Sequence, residues 1–285
     1  MYVTLGNYPE ALGDDLRIDL HKFQSKDTLV KFTNIALSKK LNFNSFYGGS
    51  CVDDFNNDGL LDIISSSGVL NQEIKYYQEF DETFQDIAPA SQINQGGGVH
   101  IIQADYNNDG YLDVYVIRGG WLMEDSKNHP NSLLRNNGDN TFTDVSEKLG
   151  LLNFTASHTA TWADFNADGW IDLFVGNEYA PSHVFLNNQG TGFSEVSKLA
   201  GIQIDKMVKG CFSADINNDM LPDLYVSCYN NKNYLFLNQS LNGNISFQDI
   251  SASAGVEDPV KSFSCSIFDF NNDGWMFSVQ AILWI

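Results

Sequence analysis

Residues 54–62 read Asp54-Phe-Asn56-Asn-Asp58-Gly59-Leu60-Leu-Asp62, an acidic segment that lies between two short apolar runs. The same nine-residue pattern, or a close variant of it, begins again at Asp105, Asp164, Asp215 and Asp269. Successive copies start 51, 59, 51 and 54 residues apart. Self-similarity at a period of roughly 50 residues is typical of repeat architectures, so we interpret the chain as an array of repeats.

The spacing inside each copy suits a calcium ion. Calcium takes about six to eight oxygen ligands, and side chains at alternate positions of a tight loop can converge on one point. Glycine at position 6 permits a positive φ, which lets the position-7 carbonyl and the position-9 carboxylate complete the shell. The sequence therefore predicts one calcium ion per loop. The predicted ligands are Asp54, Asn56, Asp58, Leu60 and Asp62; Asp105, Asn107, Asp109, Tyr111 and Asp113; Asp164, Asn166, Asp168, Trp170 and Asp172; Asp215, Asn217, Asp219, Leu221 and Asp223; and Asp269, Asn271 and Asp273.

The loops differ in how completely they follow the pattern. Asparagine at position 3 leaves each complete loop with three carboxylates, so we expect modest affinity. Loop 4 has Met220 where glycine is expected, which predicts a strained turn if φ is positive there. Loop 5 has Phe277 in place of the last carboxylate. We expect complete sites in loops 1 to 3, a strained site in loop 4 and a doubtful one in loop 5.

The loops also allow two other interpretations. A single cluster of Asn, Asp and Gly is commonly a solvated β-turn, but repetition in one phase favours metal binding. An EF-hand begins in the same way but needs Glu at position 12 and a helix on each side. Position 12 is never Glu here, and the flanking residues, such as Val114–Ile117, have the composition of strands. The sequence thus argues against a helical EF-hand.

A second landmark recurs in step with the loops. The pattern Phe-x-x-Ile/Val begins 21 or 22 residues before each loop, at Phe32, Phe84, Phe142, Phe193 and Phe247. The residues between a loop and the next phenylalanine have the composition of a strand, a turn and a second strand. An example is Ser132–Arg135 followed by Asn136-Asn-Gly138. Four short strands per period predict an all-β fold, a β-propeller of four-stranded blades. A parallel β-helix is the structural competitor.

Taken together, these landmarks resemble the FG-GAP/VCBS repeat over about residues 26 to 277. This repeat is the unit of the integrin α-subunit propeller and of bacterial proteins similar to cartilage acidic protein and the UnbV/ASPIC group. The resemblance implies a propeller, usually of seven blades, with calcium held in hairpin loops between adjacent strands of a blade. It also implies adhesion or extracellular, cell-surface or periplasmic recognition. The ligand positions that it implies are those given above.

Five periods imply about five blades, fewer than the seven of the family. The pattern also breaks after Trp275-Met276, where a run to Ile285 replaces the expected Asp and strand. We interpret the chain as an incomplete propeller that needs further blades or a partner chain to close, although a true terminal strand is also compatible with the sequence. Leu12, Leu16 and Leu20 predict a short amphipathic helix over residues 9–24. We therefore divide the chain into an N-terminal helical segment, residues 1–25, and propeller repeats, residues 26–285.

Charge and composition restrict the partners. The net charge of −20 comes largely from the loops, which hold fourteen of the 36 acidic residues, and it argues against nucleic acid as a partner. No apolar run is long enough to span a membrane as a helix. Cys51, Cys211, Cys228 and Cys265 do not form a closely spaced framework, so buried free thiols are favoured over disulfides or metal ligation.

The sequence shows no nucleophile motif and no further metal triad. His100 and His158 occupy roughly equivalent strands before their loops and could face the central channel, where a structural role is the simpler interpretation. The leading hypothesis is a non-enzymatic recognition module with a protein or glycan ligand and mainly structural calcium. The alternative is a propeller that binds or acts on polysaccharides. An aromatic and polar insertion around Trp121 is a candidate contact loop.

Overall fold

The computed structural model describes residues 32–43, 47–69, 71–93, 95–119, 129–269, 272–274 and 276–282. The chain forms two compact units, Met1–Leu37 and Ser38–Ile285, and the repeats lie in the second. The strand predicted at Phe32 is wrong: residues 32–35 form no strand, and the Phe32 side chain is 99% exposed, so it buries no apolar surface that would hold one. The helix predicted over residues 9–24 lies outside the described residues.

Each of the first four repeats in the second unit folds as one antiparallel sheet whose strands follow chain order. The first sheet contains β1 Ser50–Asp53, β2 Asp62–Ser65, β3 Lys75–Phe80 and β4 Thr83–Asp86. The second contains β5 His100–Ala104, β6 Asp113–Ile117, β7 Ser132–Asn136 and β8 Phe142–Asp144. The third contains β9 Ser157–Ala163, β10 Asp172–Asn177, β11 His183–Asn187 and β12 Phe193–Glu195. The fourth contains β13 Val208–Ala214, β14 Asp223–Cys228, β15 Tyr234–Asn238 and β16 Phe247–Asp249.

The fifth sheet pairs β17 Ser262–Phe268 with β18 Phe277–Ile282. The first strands of successive sheets, β1, β5, β9, β13 and β17, contact one another in that order. Sheets whose first strands lie side by side around a common centre are the blades of a propeller. The predicted all-β propeller is thus confirmed, with four four-stranded blades and a two-stranded fifth sheet among the described residues.

The hydrophobic core lies between the blades. Ile64 of blade 1 belongs to one buried cluster with Val114 and Val116 of blade 2, and Phe174 of blade 3 belongs to another with Leu224 of blade 4. Two further clusters join blades 2 and 3 and blades 4 and 5. Each blade therefore buries its apolar side chains against its neighbours, as expected for a repeat array in which stability comes from nearest-neighbour interfaces.

The phenylalanine landmark marks the outermost strand of each blade. Phe142, Phe193 and Phe247 are buried and begin β8, β12 and β16. Single helical turns follow three of the outermost strands: α1 Ala88–Ser91, α2 Ser197–Ala200 and α3 Ser251–Ala254. The turns after Phe193 and Phe247 end at Gly201 and Gly255 with φ of 83° and 70°. Both glycines adopt the left-handed conformation that commonly ends a helical turn.

The four cysteines are free thiols in the structure, with three buried and Cys265 partly buried. Burial raises the pKa of the Cys51 thiol to about 12 and that of Cys265 to about 11, which keeps both protonated at neutral pH. The structure therefore confirms the prediction that the cysteines are free thiols. Within the described residues, no helix is both long enough and apolar enough to cross a membrane.

Candidate metal-binding loops

Each acidic loop joins the innermost strand of a blade to the next strand, so the loops share one end of the blades. The position-1 carboxylate organises the loop by accepting two backbone N–H groups. In loop 2, Asp105 Oδ1 accepts the Asp109 N–H at 3.1 Å and Asp105 Oδ2 accepts the Gly110 N–H at 2.8 Å. Loops 1, 3, 4 and 5 repeat the arrangement. A carboxylate has about four lone-pair sites, so acceptors remain for a cation.

The side chains at positions 3 and 5 contact each other. The position-3 amide donates to the position-5 carboxylate in loops 1 to 4. The position-5 carboxylate also accepts the position-7 N–H, as Asp168 does from Trp170 at 2.9 Å. Asn166 is 7% exposed, and its Oδ1 is buried without a hydrogen-bond partner. An orphaned buried oxygen is costly and is the kind of atom that a cation would satisfy.

The position-9 aspartates are more deeply buried and hold the blade together. Asp172 is 0% exposed; its Oδ2 accepts the Phe165 N–H and its Oδ1 accepts the Asn187 N–H, both at 2.9 Å. Equivalent pairs form at Asp113 and Asp223. Asp62 differs, since its Oδ2 accepts the Tyr76 hydroxyl at 3.0 Å and its buried Oδ1 accepts no hydrogen bond of ordinary geometry.

Burial dominates the electrostatics of position 9. It raises the pKa of the Asp113 carboxyl to about 8, that of Asp172 to about 7 and that of Asp62 to about 6, and it also raises the pKa of Asp223. Neighbouring loop carboxylates add to the shift, because like charges disfavour ionisation. A carboxylate in this setting is stabilised in its charged form by a nearby positive charge.

The backbone at position 6 adopts the conformation that the pattern requires. Gly59, Gly110, Gly169 and Gly274 have φ between 86° and 88°. Met220 of loop 4 has φ of 71°, so the predicted positive φ at this non-glycine residue is observed. Its side chain is 89% exposed and leaves the loop interior free. The strain costs about 1 kcal/mol, but the loop keeps its shape.

Among the described residues, no cationic side chain pairs with the carboxylates of loops 1 to 4. In the described part of the chain, no Lys, Arg or His nitrogen lies within 4.0 Å of a carboxylate of loops 1 to 4. Nor do the described residues bring three or more Asp, Glu, His or Cys side chains close enough to hold a metal by themselves. A complete shell thus depends on the position-3 amide oxygen and the position-7 carbonyl as well as the carboxylates. This all-oxygen donor set fits calcium rather than a softer metal.

Loop 5 retains only part of this geometry. Asp269 accepts the Asp273 and Gly274 N–H groups, as in the other loops. Position 9 is Phe277, which begins β18 and carries no carboxylate. Asn271 lies outside the described residues, as does Trp121, the centre of the predicted contact loop.

A buried asparagine links each of loops 1, 2 and 3 to the following blade, a contact that the sequence analysis did not predict. Asn136 Nδ2 donates to the Phe55 carbonyl at position 2 of loop 1 at 2.7 Å. Asn187 makes the same bond to loop 2 at 2.8 Å, and Asn238 makes it to loop 3 at 2.9 Å. The N–H of each asparagine is accepted by the position-9 aspartate of its own blade. In the sequence, the feature that points to this role is the recurrence of Asn at the end of the third strand of these blades.

A cavity of about 840 Å³ is lined by residues in or next to the first strands of blades 2 to 5. His100 and His158 both line it, so the expectation that they face the channel is confirmed. His158 Nδ1 lies 3.2 Å from Glu178 Oε1, and the same buried carboxylate contacts Lys209 Nζ. The described residues that line the cavity include no Asp or Glu, so this cavity lacks the carboxylate pair that sugar hydrolysis commonly uses.

The fold and the loops define a β-propeller of repeats with an acidic, oxygen-rich loop at the start of each blade. The FG-GAP-like repeat family matches residues 54–116, 121–175, 164–226 and 215–276. These matches cover more than half of the chain, and the protein belongs to the FG-GAP-like repeat family.

Relatives with curated names agree with this assignment. Cartilage acidic protein 1 of Mus musculus is 24% identical over 251 residues, which cover 79% of this chain and 38% of the relative. The Homo sapiens protein is 24% identical over 73% of this chain and 33% of its own length. The chain thus spans well under half of these relatives. Among solved structures, the V. cholerae biofilm matrix protein Bap1 aligns over 84% of this chain and 35% of its own, with a TM-score of 0.49 and 15% identity.

Proposed function

We propose that this chain is a calcium-binding propeller module for extracellular recognition, in which calcium is mainly structural. The observation that carries the proposal is the repeated loop, in which several hard oxygen donors lie within nine residues, with no neutralising cation in the described part of the chain and a buried orphan oxygen at Asn166. The proposed ligands of each complete loop are the side chains at positions 1, 3, 5 and 9 and the carbonyl at position 7.

Calcium would supply positive charge among the carboxylates of a loop. The chain itself does the positioning: backbone N–H groups hold the position-1 and position-9 carboxylates, and the glycine or Met220 turn brings position 7 back toward them. Because the position-9 aspartate also holds the asparagine that contacts the preceding loop, calcium in a loop would stiffen the junction between two blades. Calcium loss would therefore loosen blade packing before it altered any one strand.

The chemistry of the loops favours an extracellular setting. Each complete loop offers only three carboxylates, and calcium sites with low ligand charge bind in the range of about 10⁻⁴–10⁻³ M that is typical of extracellular modules. The similarity to proteins named cartilage acidic protein 1 supports the same location. Recognition of a protein or glycan would then fall to the loops between strands, since loops on a rigid scaffold commonly carry binding.

An enzymatic role has less support. Neither the family description nor the names of the matched relatives describes an enzyme. Glu178, the buried carboxylate beside the cavity that His158 lines, already pairs with Lys209 and His158. A polysaccharide-binding role, by contrast, needs no carboxylate pair and remains the second candidate, because Trp162 and Phe212 line the same cavity.

A glycan array probed in millimolar calcium and again in EDTA tests recognition. If the module recognises a glycan, we expect one sugar class to be retained in calcium and released in EDTA. A variant of the cavity wall, Trp162→Ala, should reduce that signal if this cavity is the binding site, whereas Leu199→Ala on the exposed surface should not. Retention that is unchanged by EDTA would contradict the role of calcium in recognition.

A further inference from the structure

The acidic loops of neighbouring blades are connected to one another by a second asparagine. The side-chain Nδ2 of Asn57, at position 4 of loop 1, donates to the Gly110 carbonyl at position 6 of loop 2 at 3.0 Å. Asn108 of loop 2 donates in the same way to the Gly169 carbonyl of loop 3 at 3.3 Å. Neither asparagine is a predicted calcium ligand. The bonds thus run from loop to loop along one end of the propeller.

The chain of bonds is interrupted once. Position 4 of loop 3 is Ala167, which has no side chain that could donate to loop 4. The bond resumes between Asn218 of loop 4 and the Gly274 carbonyl of loop 5 at 3.3 Å. Asn57, Asn108, Ala167 and Asn218 have the same left-handed backbone, with φ between 55° and 62°. Asparagine adopts this conformation more readily than alanine, so the backbone of loop 3 is compatible with an asparagine at this position.

In loops 2 and 3, the carbonyl that accepts each of these bonds lies beside two predicted calcium ligands of the loop. In loop 2 it belongs to the Gly110–Tyr111 peptide, whose N–H donates to Asp109 Oδ1 at 3.0 Å. That peptide therefore orients the position-5 carboxylate and leads directly into the position-7 carbonyl, so both predicted ligands depend on it. In loop 3, the Gly169–Trp170 peptide holds Asp168 in the same way. An asparagine fixed by one loaded loop would thus hold two ligands of the next loop in place.

We propose that calcium binding is cooperative among loops 1, 2 and 3, with Asn57 and Asn108 as positioning residues that couple each loop to the next. This inference rests on the proposed calcium function. Calcium bound at one loop would already order part of the next loop, so the next loop loses less conformational entropy when it binds calcium. The effect of each loop on the calcium affinity of its neighbour is reciprocal. A single neutral hydrogen bond supports a coupling of about two- to tenfold in affinity per link.

Calorimetric calcium titration of the full chain and of matched variants tests the coupling. Asn57→Gly with Asn108→Gly removes both links and keeps a residue that accepts positive φ. We expect the calcium midpoint of this double variant to rise by about two- to tenfold for each lost link and the binding curve to become less steep. The matched control is Ala167→Gly, which makes the same backbone change where there is no link and should leave the steepness unaltered.

The interruption at loop 3 allows a gain-of-function variant. Ala167→Asn places a donor opposite the position-6 carbonyl of loop 4, and we expect a steeper calcium curve than in the wild type. Equal effects of the glycine variants at all three positions, with no gain in Ala167→Asn, would overturn the coupling while calcium binding itself stands. A wild-type chain that binds no calcium would instead overturn the proposed function and this inference with it.

Discussion

Transfer of the protein from millimolar calcium to EDTA is expected to lower its melting temperature by about 10 °C or more. A ligand at tenfold above its Kd stabilises a folded chain by about 1.4 kcal/mol per site, and several loops contribute. At this chain length each kcal/mol shifts the melting temperature by roughly 2–4 °C. Removal of the cations also leaves the carboxylates of each loop to repel one another, with no described Lys, Arg or His nitrogen within 4.0 Å of those in loops 1 to 4.

The measurement is a thermal unfolding scan by circular dichroism in calcium, in magnesium at equal ionic strength and in EDTA. Magnesium controls for simple screening of the acidic surface, and because it dehydrates reluctantly it should restore less stability than calcium. Identical melting in all three conditions would show that the loops are only solvated turns.

Replacement of the most buried loop carboxylate, Asp172→Ala, is expected to destabilise the protein by about 2–6 kcal/mol even in EDTA. The change removes the acceptor of two backbone N–H groups, those of Phe165 and Asn187, and each unsatisfied buried donor costs about 1–3 kcal/mol. It also frees Asn187, whose Nδ2 donates to the Tyr106 carbonyl of the preceding loop. The free energy of unfolding by urea gives the effect.

The matched control for this variant is Asp168→Ala in the same loop. Asp168 is exposed and accepts hydrogen bonds from Asn166 and Trp170, so its loss in EDTA should cost about 1 kcal/mol or less. In calcium, both variants should additionally lose the stabilisation from loop 3. Equal destabilisation of the two variants in EDTA would mean that Asp172 has no structural role apart from the metal.

Local pattern in the sequence was sufficient to predict the blade. The loops mark the hairpin between the first and second strands, and Phe142, Phe193 and Phe247 mark the outermost strand, because both features depend only on neighbouring residues. The same rule failed at Phe32. A strand needs a sheet to join, and the Phe32 side chain remains exposed, which the four-residue pattern alone does not show.

The contacts between blades could not be read from the sequence in the same way. Asn136 belongs to a segment with ordinary turn composition, yet its side chain is buried against a carbonyl 81 residues earlier. Asn57 and Asn108 are not among the proposed calcium ligands, and their bonds cross to the next blade. The partner of such a side chain depends on how successive blades dock, and only the assembled fold supplies that information.

We propose that the repeated loops bind calcium, and a direct count of bound metal tests this most directly. After equilibrium dialysis against millimolar calcium, elemental analysis of the wild-type chain should give one ion for each complete loop, with a further ion from loop 4 despite the strain at Met220. The double change Asp105→Ala with Asp109→Ala should remove the ion of loop 2. A wild-type chain that retains less than one calcium ion, with no difference in the variant, would contradict the account.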